Sequence, residues 1–418
     1  MSASKYRAAN THVQSGAFCY SLSRDGKLLA AIATELCKLS EGSSPEIRYI
    51  VGGRACYLPI AIVEAGPQAN STALRDLDST SLQNIGDRLR FSRGWATTIP
   101  SISHLGIVDD ARIGSRANEV YAALSNDPAW PLLLSQSQSE RARLAKAYLA
   151  AQGVIGSDPV GIVDIGWAGR TCSAIDAAVH ADGAAPPSYF FFGLTTAAED
   201  VCPRSSIAYF ADHRFPSHRA RSLYIGALET LCSSGEPRTL GFEIRDGLAS
   251  PKYMRDEYSQ RHEGYANKIE EVVLDVVRQL GKTSRPDDFT EVELQDPSFL
   301  AALERNLSSF WERPSLDEAE TWSKVAHSSS VLEVAVPIGR RIFPIELLRL
   351  RSPNVIWLAG SLRLSSPIVR QALMRRMAVE RSVSRLLSLR DSRLGCWQQL
   401  KFIGLKRLRK IAGRRAGR

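Results

Sequence analysis

The chain has 418 residues, room for two or three units at roughly 100–200 residues each. Its 44% hydrophobic and 23% charged residues are ordinary for a soluble protein and exclude wholesale disorder and a collagen-like repeat. No apolar run reaches the ~20 residues of a bilayer-spanning helix, which excludes a polytopic membrane protein.

Charge is unevenly placed. Of the 53 Lys/Arg and 44 Asp/Glu, 16 and 2 fall in residues 361–418, leaving 37 and 42 elsewhere, so an acidic body carries a basic tail. The seven cysteines are scattered and never form Cys-x-x-Cys, which argues against a disulfide framework or a structural zinc site. Met1 to Gln14 is polar and lacks the apolar core of a secretory signal, so a cytoplasmic chain is expected.

In chain order, Ala17 to Leu22 reads as a short buried strand ending in Ser23-Arg24-Asp25-Gly26, with a helix from Lys27 to Leu39. Ile47 to Val51 is a second strand, closed by Gly52-Gly53-Arg54-Ala55. Thr80 to Phe91 and Ser139 to Ala151 read as helices, the latter opened by a polar Ser139-Glu140 start. Val160 to Ile165 is a third strand, leading through Gly166-Trp167-Ala168-Gly169 into a helix from Arg170 to His180. Tyr189 to Leu194 is a fourth.

Alternating strands and helices predict an α/β, Rossmann-like fold with a mainly parallel sheet, inserted and appended helices, and a basic helical C-terminal tail. Helices are expected at Tyr258 to Leu280, Phe299 to Trp311 and Leu316 to His327. Pro337, Pro344 and Pro353 interrupt the next stretch. The expected units are residues 1–250, an α/β domain; 251–335, a helical appendage packed back on the sheet; and 336–418, a linker and basic amphipathic tail.

Asp25 and Asp164 each lie near a strand end beside glycine. Open α/β sheets take ligands at the carboxyl ends of their strands, and helix N-termini there favour phosphate. Asp25-Gly26 and Asp164-x-Gly166 thus suit an anionic ligand, the Asp holding Mg²⁺ or a sugar hydroxyl; the alternative is that both Asp residues cap helices. Arg24, Arg54 and Arg170 also sit at strand ends, and the guanidinium fork suits phosphate.

Other motifs carry less. Asp76-Leu77-Asp78-Ser79-Thr80 matches a phosphatase nucleophile signature without the apolar strand it requires. Asp109-Asp110 lacks a glycine-rich loop after it. Asp212, His213 and His218 show no metal-ligand spacing. In the tail, a helical wheel puts Trp397, Leu400, Leu408 and Ile411 on one face and Lys406, Arg409 and Lys410 on the other. Such a helix suits an anionic membrane surface. Nucleic-acid binding is the weaker reading, because the body is acidic and no recognition module is visible.

The strand-end blocks, taken in order, resemble the glycan phosphoribosyltransferase domain that forms the C-terminal half of two-domain bacterial polysaccharide enzymes with a haloacid-dehalogenase-type phosphatase half. The blocks are Tyr20-Ser21-Leu22-Ser23-Arg24-Asp25-Gly26; Tyr49-Ile50-Val51-Gly52-Gly53-Arg54-Ala55-Cys56-Tyr57-Leu58-Pro59; Glu140-Arg141 before Tyr148-Leu149; and Val163-Asp164-Ile165-Gly166-Trp167-Ala168-Gly169. Weaker similarity runs through Glu229 and Gly241 to about His327.

The resemblance implies transfer of 5-phosphoribose from phosphoribosyl pyrophosphate to a hydroxyl of a polyprenol-linked glycan, with Mg²⁺ as cofactor. It also implies a place at the inner face of the bacterial inner membrane, reached through residues 361–418. Asp25 and Asp164 would be the catalytic and metal-holding carboxylates. Arg24, Gly26, Arg54, Gly166, Trp167, Gly169 and Arg170 would bind donor phosphates, supported by Arg141 and Glu229. No phosphatase half is present in the sequence, so a separate 5-phosphate phosphatase is expected. Where the family reads Ser-Arg-Arg-Ala, this chain has Gly52-Gly53-Arg54-Ala55, losing a hydroxyl and a guanidinium that Arg170 would have to replace. Two alternatives remain open: a glycosyltransferase with another phosphorylated donor, and a non-catalytic scaffold or acceptor-binding protein of a polysaccharide assembly system.

Overall fold

The computed structural model describes residues 18–40, 44–64, 73–74, 77, 80–219, 221–254, 257–283, 296–327, 336–344, 346 and 355–375. The chain is an α/β protein built on a five-stranded parallel sheet. The strands are β1 (Phe18–Leu22), β2 (Glu46–Ile50), β3 (Val160–Trp167), β4 (Ser188–Leu194) and β5 (Ser206–Asp212), in the order β2-β1-β3-β4-β5. Four of them match the expected strands to within two residues. The fifth, β5, adds an edge that the sequence pattern did not signal.

Helices cover both faces. On one side α2 (Arg54–Glu64) packs against α5 (Ala129–Ala151) and α6 (Arg170–Ala181). On the other, α1 (Ser23–Leu39) packs against α7 (Ile225–Cys232) and α8 (Glu257–Thr283). Alternate strand residues explain the first face. Tyr20, Leu22, Ile50, Ile162, Tyr189 and Phe191 are buried there with Tyr57, Ile60, Ala145, Leu149, Ile175 and Val179. Each large apolar side chain so buried contributes roughly 1.5–3 kcal/mol.

Between β2 and β3 the chain inserts a helical unit with its own core. It includes α3 (Leu82–Leu89) and α4 (Ala117–Asn126), and Trp95 and Trp130 meet in its centre with rings 5.8 Å apart. Helix α5 starts ten residues earlier than its Ser139 suggests. Asp127 provides the start, its carboxylate accepting from Ala129 N at 2.9 Å. Ser139 lies mid-helix with its hydroxyl turned back onto the Ser135 carbonyl at 2.7 Å, a placement that removes the need for a cap.

After α7 comes an antiparallel hairpin, β6 (Arg238–Arg245) and β7 (Leu248–Met254). Its two-residue turn is Asp246-Gly247, both at positive φ (50° and 78°), the geometry an Asp-Gly pair favours. Phe242 of β6 stacks on Tyr148, centroids 4.4 Å apart, and so ties the hairpin to α5.

The appendage comprises α9 (Pro297–Glu312) and α10 (Leu316–Trp322), the latter begun by a Ser315/Glu318 capping box. The chain then forms a small pair of strands, β8 (Ala326–His327), where the sequence suggests the end of a helix, and β9 (Val336–Pro337), at the start of the expected linker, and continues to α11 (Leu358–Leu364). Leu300 packs with Phe210 and Leu223, which fastens the appendage to the β5 side of the sheet. Trp311 and Trp357 stack at 5.3 Å. Leu362, Val369 and Leu373 are buried with Ile342, so the folded part of the described chain extends through the start of the basic segment.

Candidate active site at the carboxyl edge of the sheet

The strands all point their carboxyl ends to one edge. From β1 the chain moves outward to β2, and from β3 it moves the opposite way to β4. This reversal between neighbouring strands leaves a crevice where open α/β sheets take ligands. Asp25 and Asp164 flank it. Ser21 pairs with Val163, so Asp164 lies level with Leu22, the last residue of β1. Asp25 follows in the first turn of α1.

Glycine sets the local geometry. A Cβ on Gly26 would lie 2.8 Å from the Ser21 carbonyl carbon, so the first turn of α1 settles closely onto β1. Gly166 has φ +129°, and a Cβ there would overlap the carbonyl oxygen of Gly193 on β4. Gly169, at φ +67°, precedes α6 as its N-cap and makes no side-chain cap; a Cβ there would lie 2.6 Å from Cys202 Sγ.

Asp164 does not cap a helix. It lies within β3 and is 8% exposed. Burial pushes its carboxyl up to about 8, with further upward pushes from Asp25 and, less strongly, Glu229; hydrogen bonds from the backbone of Gly166 and Ile165 pull the other way. Asp25 also acts on Cys232 at the end of α7, a thiol pushed up to about 12 mainly by burial. Trp167 Nε1 donates to Glu229 Oε1 at 3.1 Å, drawing α7 against the end of β3. Asp25, Asp164, Glu229 and Trp167 therefore form one cluster.

Beside β2 the arrangement is different. Val51 N donates to the Tyr148 hydroxyl at 3.0 Å, and the Tyr57 hydroxyl donates to Val51 O at 2.7 Å. These bonds hold the turn at Gly52, where a φ of +111° and the 3.1 Å that would separate an added Cβ from Cys56 Cβ and Tyr57 Cε2 disfavour any side chain. Arg54 is exposed at the start of α2. Arg141 bridges three elements, donating to Ala55 O (3.1 Å), Leu89 O (3.3 Å) and Gln138 Oε1 (2.7 Å).

Burial and the neighbouring Arg90 hold the Arg141 guanidinium down at about 10. The sequence gives no hint of Arg90, since a single Arg after a helix carries no signal. Lys27 and Tyr49 both reach Glu236, each at 3.2 Å, which ties α1 and β2 to the connection after α7.

Arg170 opens α6 and is half-buried. The side chain of Arg24 lies outside the described residues, as do residues 376–418 with the proposed amphipathic helix, and most of the Asp76-to-Thr80 match. His213 and His218 serve the loop after β5: His218 Nδ1 accepts from Asp212 N, and His213 Nε2 meets Arg221 O at 2.8 Å. Among the described residues no group of three or more His, Cys, Asp or Glu side chains is placed to hold a metal ion, and no helix is long and apolar enough to cross a membrane.

No protein-family model matches the chain, and no curated protein matches its sequence.

Proposed function

We propose that the protein is a pentosyltransferase that moves 5-phosphoribose from phosphoribosyl pyrophosphate to a hydroxyl of a polyprenol-linked glycan in bacterial polysaccharide biosynthesis. One observation carries the reading: Asp25, in the first turn of α1 just after β1, and Asp164, within the neighbouring strand β3, act on each other at the topological switch point of the sheet. The open N-terminus of α6, the half-buried Arg170 and the exposed Arg54 lie along the same edge and supply positive potential for a phosphorylated donor.

In the reaction the bond from C1 of the ribose to the pyrophosphate breaks, its electron pair leaving with pyrophosphate. The acceptor oxygen bonds to C1 and gives up its proton. Charge builds on the leaving oxygens while the ring gains oxocarbenium character, so donors aimed at the pyrophosphate do most of the electrostatic work.

In this reading Asp25, the more exposed carboxyl, takes the acceptor proton. Asp164, buried behind it and holding its own proton near neutrality, orients the pair. Asp25 and Asp164 would hold Mg²⁺ together with substrate phosphates, the cation displacing the proton that Asp164 otherwise keeps. Bound there, Mg²⁺ would neutralise charge on the pyrophosphate.

The protein acts in the cytoplasm, peripheral to the inner face of the inner membrane, with its basic C-terminal segment on anionic lipid, and a separate phosphatase removes the 5-phosphate. The test is incubation with phosphoribosyl pyrophosphate, Mg²⁺ and a synthetic lipid-linked acceptor, measuring pyrophosphate. Wild type releases it and Asp25→Ala does not. Absence of donor binding by wild type overturns the reading.

A further inference from the structure

We propose that Arg90 and Arg141 form a phosphate-binding subsite beside β2, in which Arg90 supplies the guanidinium that position 53 lacks. Identifying the occupant as a phosphoryl group of the donor rests on the function proposed above. The case for an anion does not depend on that function.

Arg141 is a half-buried cation that donates to neutral acceptors: the carbonyls of Ala55 and Leu89 and the amide oxygen of Gln138. These take three of the five N–H donors of a guanidinium. The charge nearest to it in effect is a second cation, Arg90. Among the described residues no carboxylate forms a hydrogen bond or ion pair with the side chain of either arginine. Two like charges, one of them desolvated, raise the free energy of the empty site, and an anion between them would relieve it.

The backbone at Arg90 adds a second sign. It ends α3 in the left-handed region (φ 59°, ψ 38°), with its N–H bonded to Asp87 O and Gly86 O. Glycine normally fills such a position. An arginine there is strained, and strain of this kind collects where a side chain is needed for binding.

The location fits the donor. Arg141 grips the Ala55 carbonyl in the first turn of α2, directly after Gly52-Gly53. Both arginines act electrostatically on Cys56 in that same turn. Strand β2 adjoins β1, and β1 adjoins β3, so the subsite lies about two strand spacings, roughly 10 Å, from the end of β3. A ribose carrying phosphate at one end and pyrophosphate at the other can bridge that distance. The resemblance expects an Arg at position 53, where this chain has Gly53; Arg90 approaches the same turn from α3.

The test uses the full chain and titrates inorganic pyrophosphate, ribose 5-phosphate and phosphoribosyl pyrophosphate by calorimetry at low salt. A charge-assisted hydrogen bond predicts that Arg90→Gly weakens phosphoribosyl pyrophosphate, and whichever simpler anion binds there, by about 10- to 100-fold. Arg90→Lys retains part of the affinity. Glycine takes the left-handed conformation freely, so Arg90→Gly keeps or raises the melting temperature, and lost binding cannot be assigned to misfolding. Wild-type affinity of Arg90→Gly for all three anions overturns the subsite, as does failure of wild type to bind any of them at millimolar concentration. If the anions bind and Arg90→Gly weakens them, yet no acceptor ever releases pyrophosphate, the subsite stands and the transferase reading falls.

Discussion

Asp25 and Asp164, far apart in the chain, come together across the boundary between β1 and β3, and the negative charge of Asp25 adds to the burial that holds the Asp164 carboxyl at about 8. A protein gains no stability from such a pair, so the arrangement has a cost that pH reveals.

Below about pH 4 Asp164 is protonated in both folded and unfolded chains. Between its ordinary value of 3.8 and about 8 the unfolded chain ionises first, so stability falls as pH rises through that window. At about 1.4 kcal/mol per unit, the full penalty is on the order of 5 kcal/mol. Asp164→Asn removes this contribution while its amide oxygen still accepts the backbone N–H groups. Melting temperatures from pH 5 to 8 should fall for wild type more steeply than for the variant; equal slopes would contradict the assignment.

Removing either neighbour should lower the Asp164 midpoint, and in a set order. Asp25→Asn has the larger effect and Glu229→Gln the smaller, because Asp25 is the stronger of the two influences. Carbon-13 NMR of the Asp164 carboxyl reads the midpoint directly. A reversed order would place Glu229, not Asp25, nearer the buried acid.

Gly166 and Gly247 both have positive φ, but their surroundings differ. A Cβ on Gly166 meets the Gly193 carbonyl, whereas one on Gly247 meets nothing within 4 Å. Gly166→Ala should cost roughly 3–5 kcal/mol or prevent folding, through strain and overlap together. Gly247→Ala should cost about 1 kcal/mol, from backbone conformation alone. Urea denaturation distinguishes them, and comparable losses would mean that β3 and β4 can move apart.

The two tyrosines on Val51 give a third measure of rigidity at this edge. Tyr148→Phe leaves the Val51 N–H without its acceptor and should cost about 1–3 kcal/mol. Hydrogen exchange at Val51 should quicken more than at Leu22 of the neighbouring strand. Unchanged exchange at Val51 would show that the turn needs no clamp.

Membrane attachment is tested by truncation after residue 375, which spares the packing of Val369 and Leu373. The full chain should pellet with phosphatidylserine vesicles and release them as salt rises, each surface Lys/Arg adding about 1 kcal/mol at most. The shortened chain should remain in the supernatant. Co-sedimentation of the shortened chain would move the membrane contact onto the body.

Much of the fold was legible because strands β1 to β4 are short apolar runs, the first three closed by segments containing Gly with Asp or Arg, a local pattern. Asp246-Gly247 is an equally local signal for the hairpin, though it was not among the expected elements. Strand β5 was harder: Ser206 to Asp212 is bounded by Pro203 on one side and a polar loop on the other, and only pairing with β4 identifies it. Ser139 misled because a serine hydroxyl can cap a helix or bond back within one, and sequence does not say which.

The site divides along the same line. Sequence alone determined that Asp25 and Asp164 follow apolar runs and lie close to glycines, since composition and spacing are properties of neighbouring residues. Only the tertiary structure decided that the β2-β1-β3 order brings those two segments together, that Trp167 draws in Glu229, and that Arg141 bonds the carbonyl next to Arg90 and feels its charge, with no carboxylate bonded to either among the described residues. Charges interact through space over a few ångströms, and the distances between them exist only once the strands have chosen their partners.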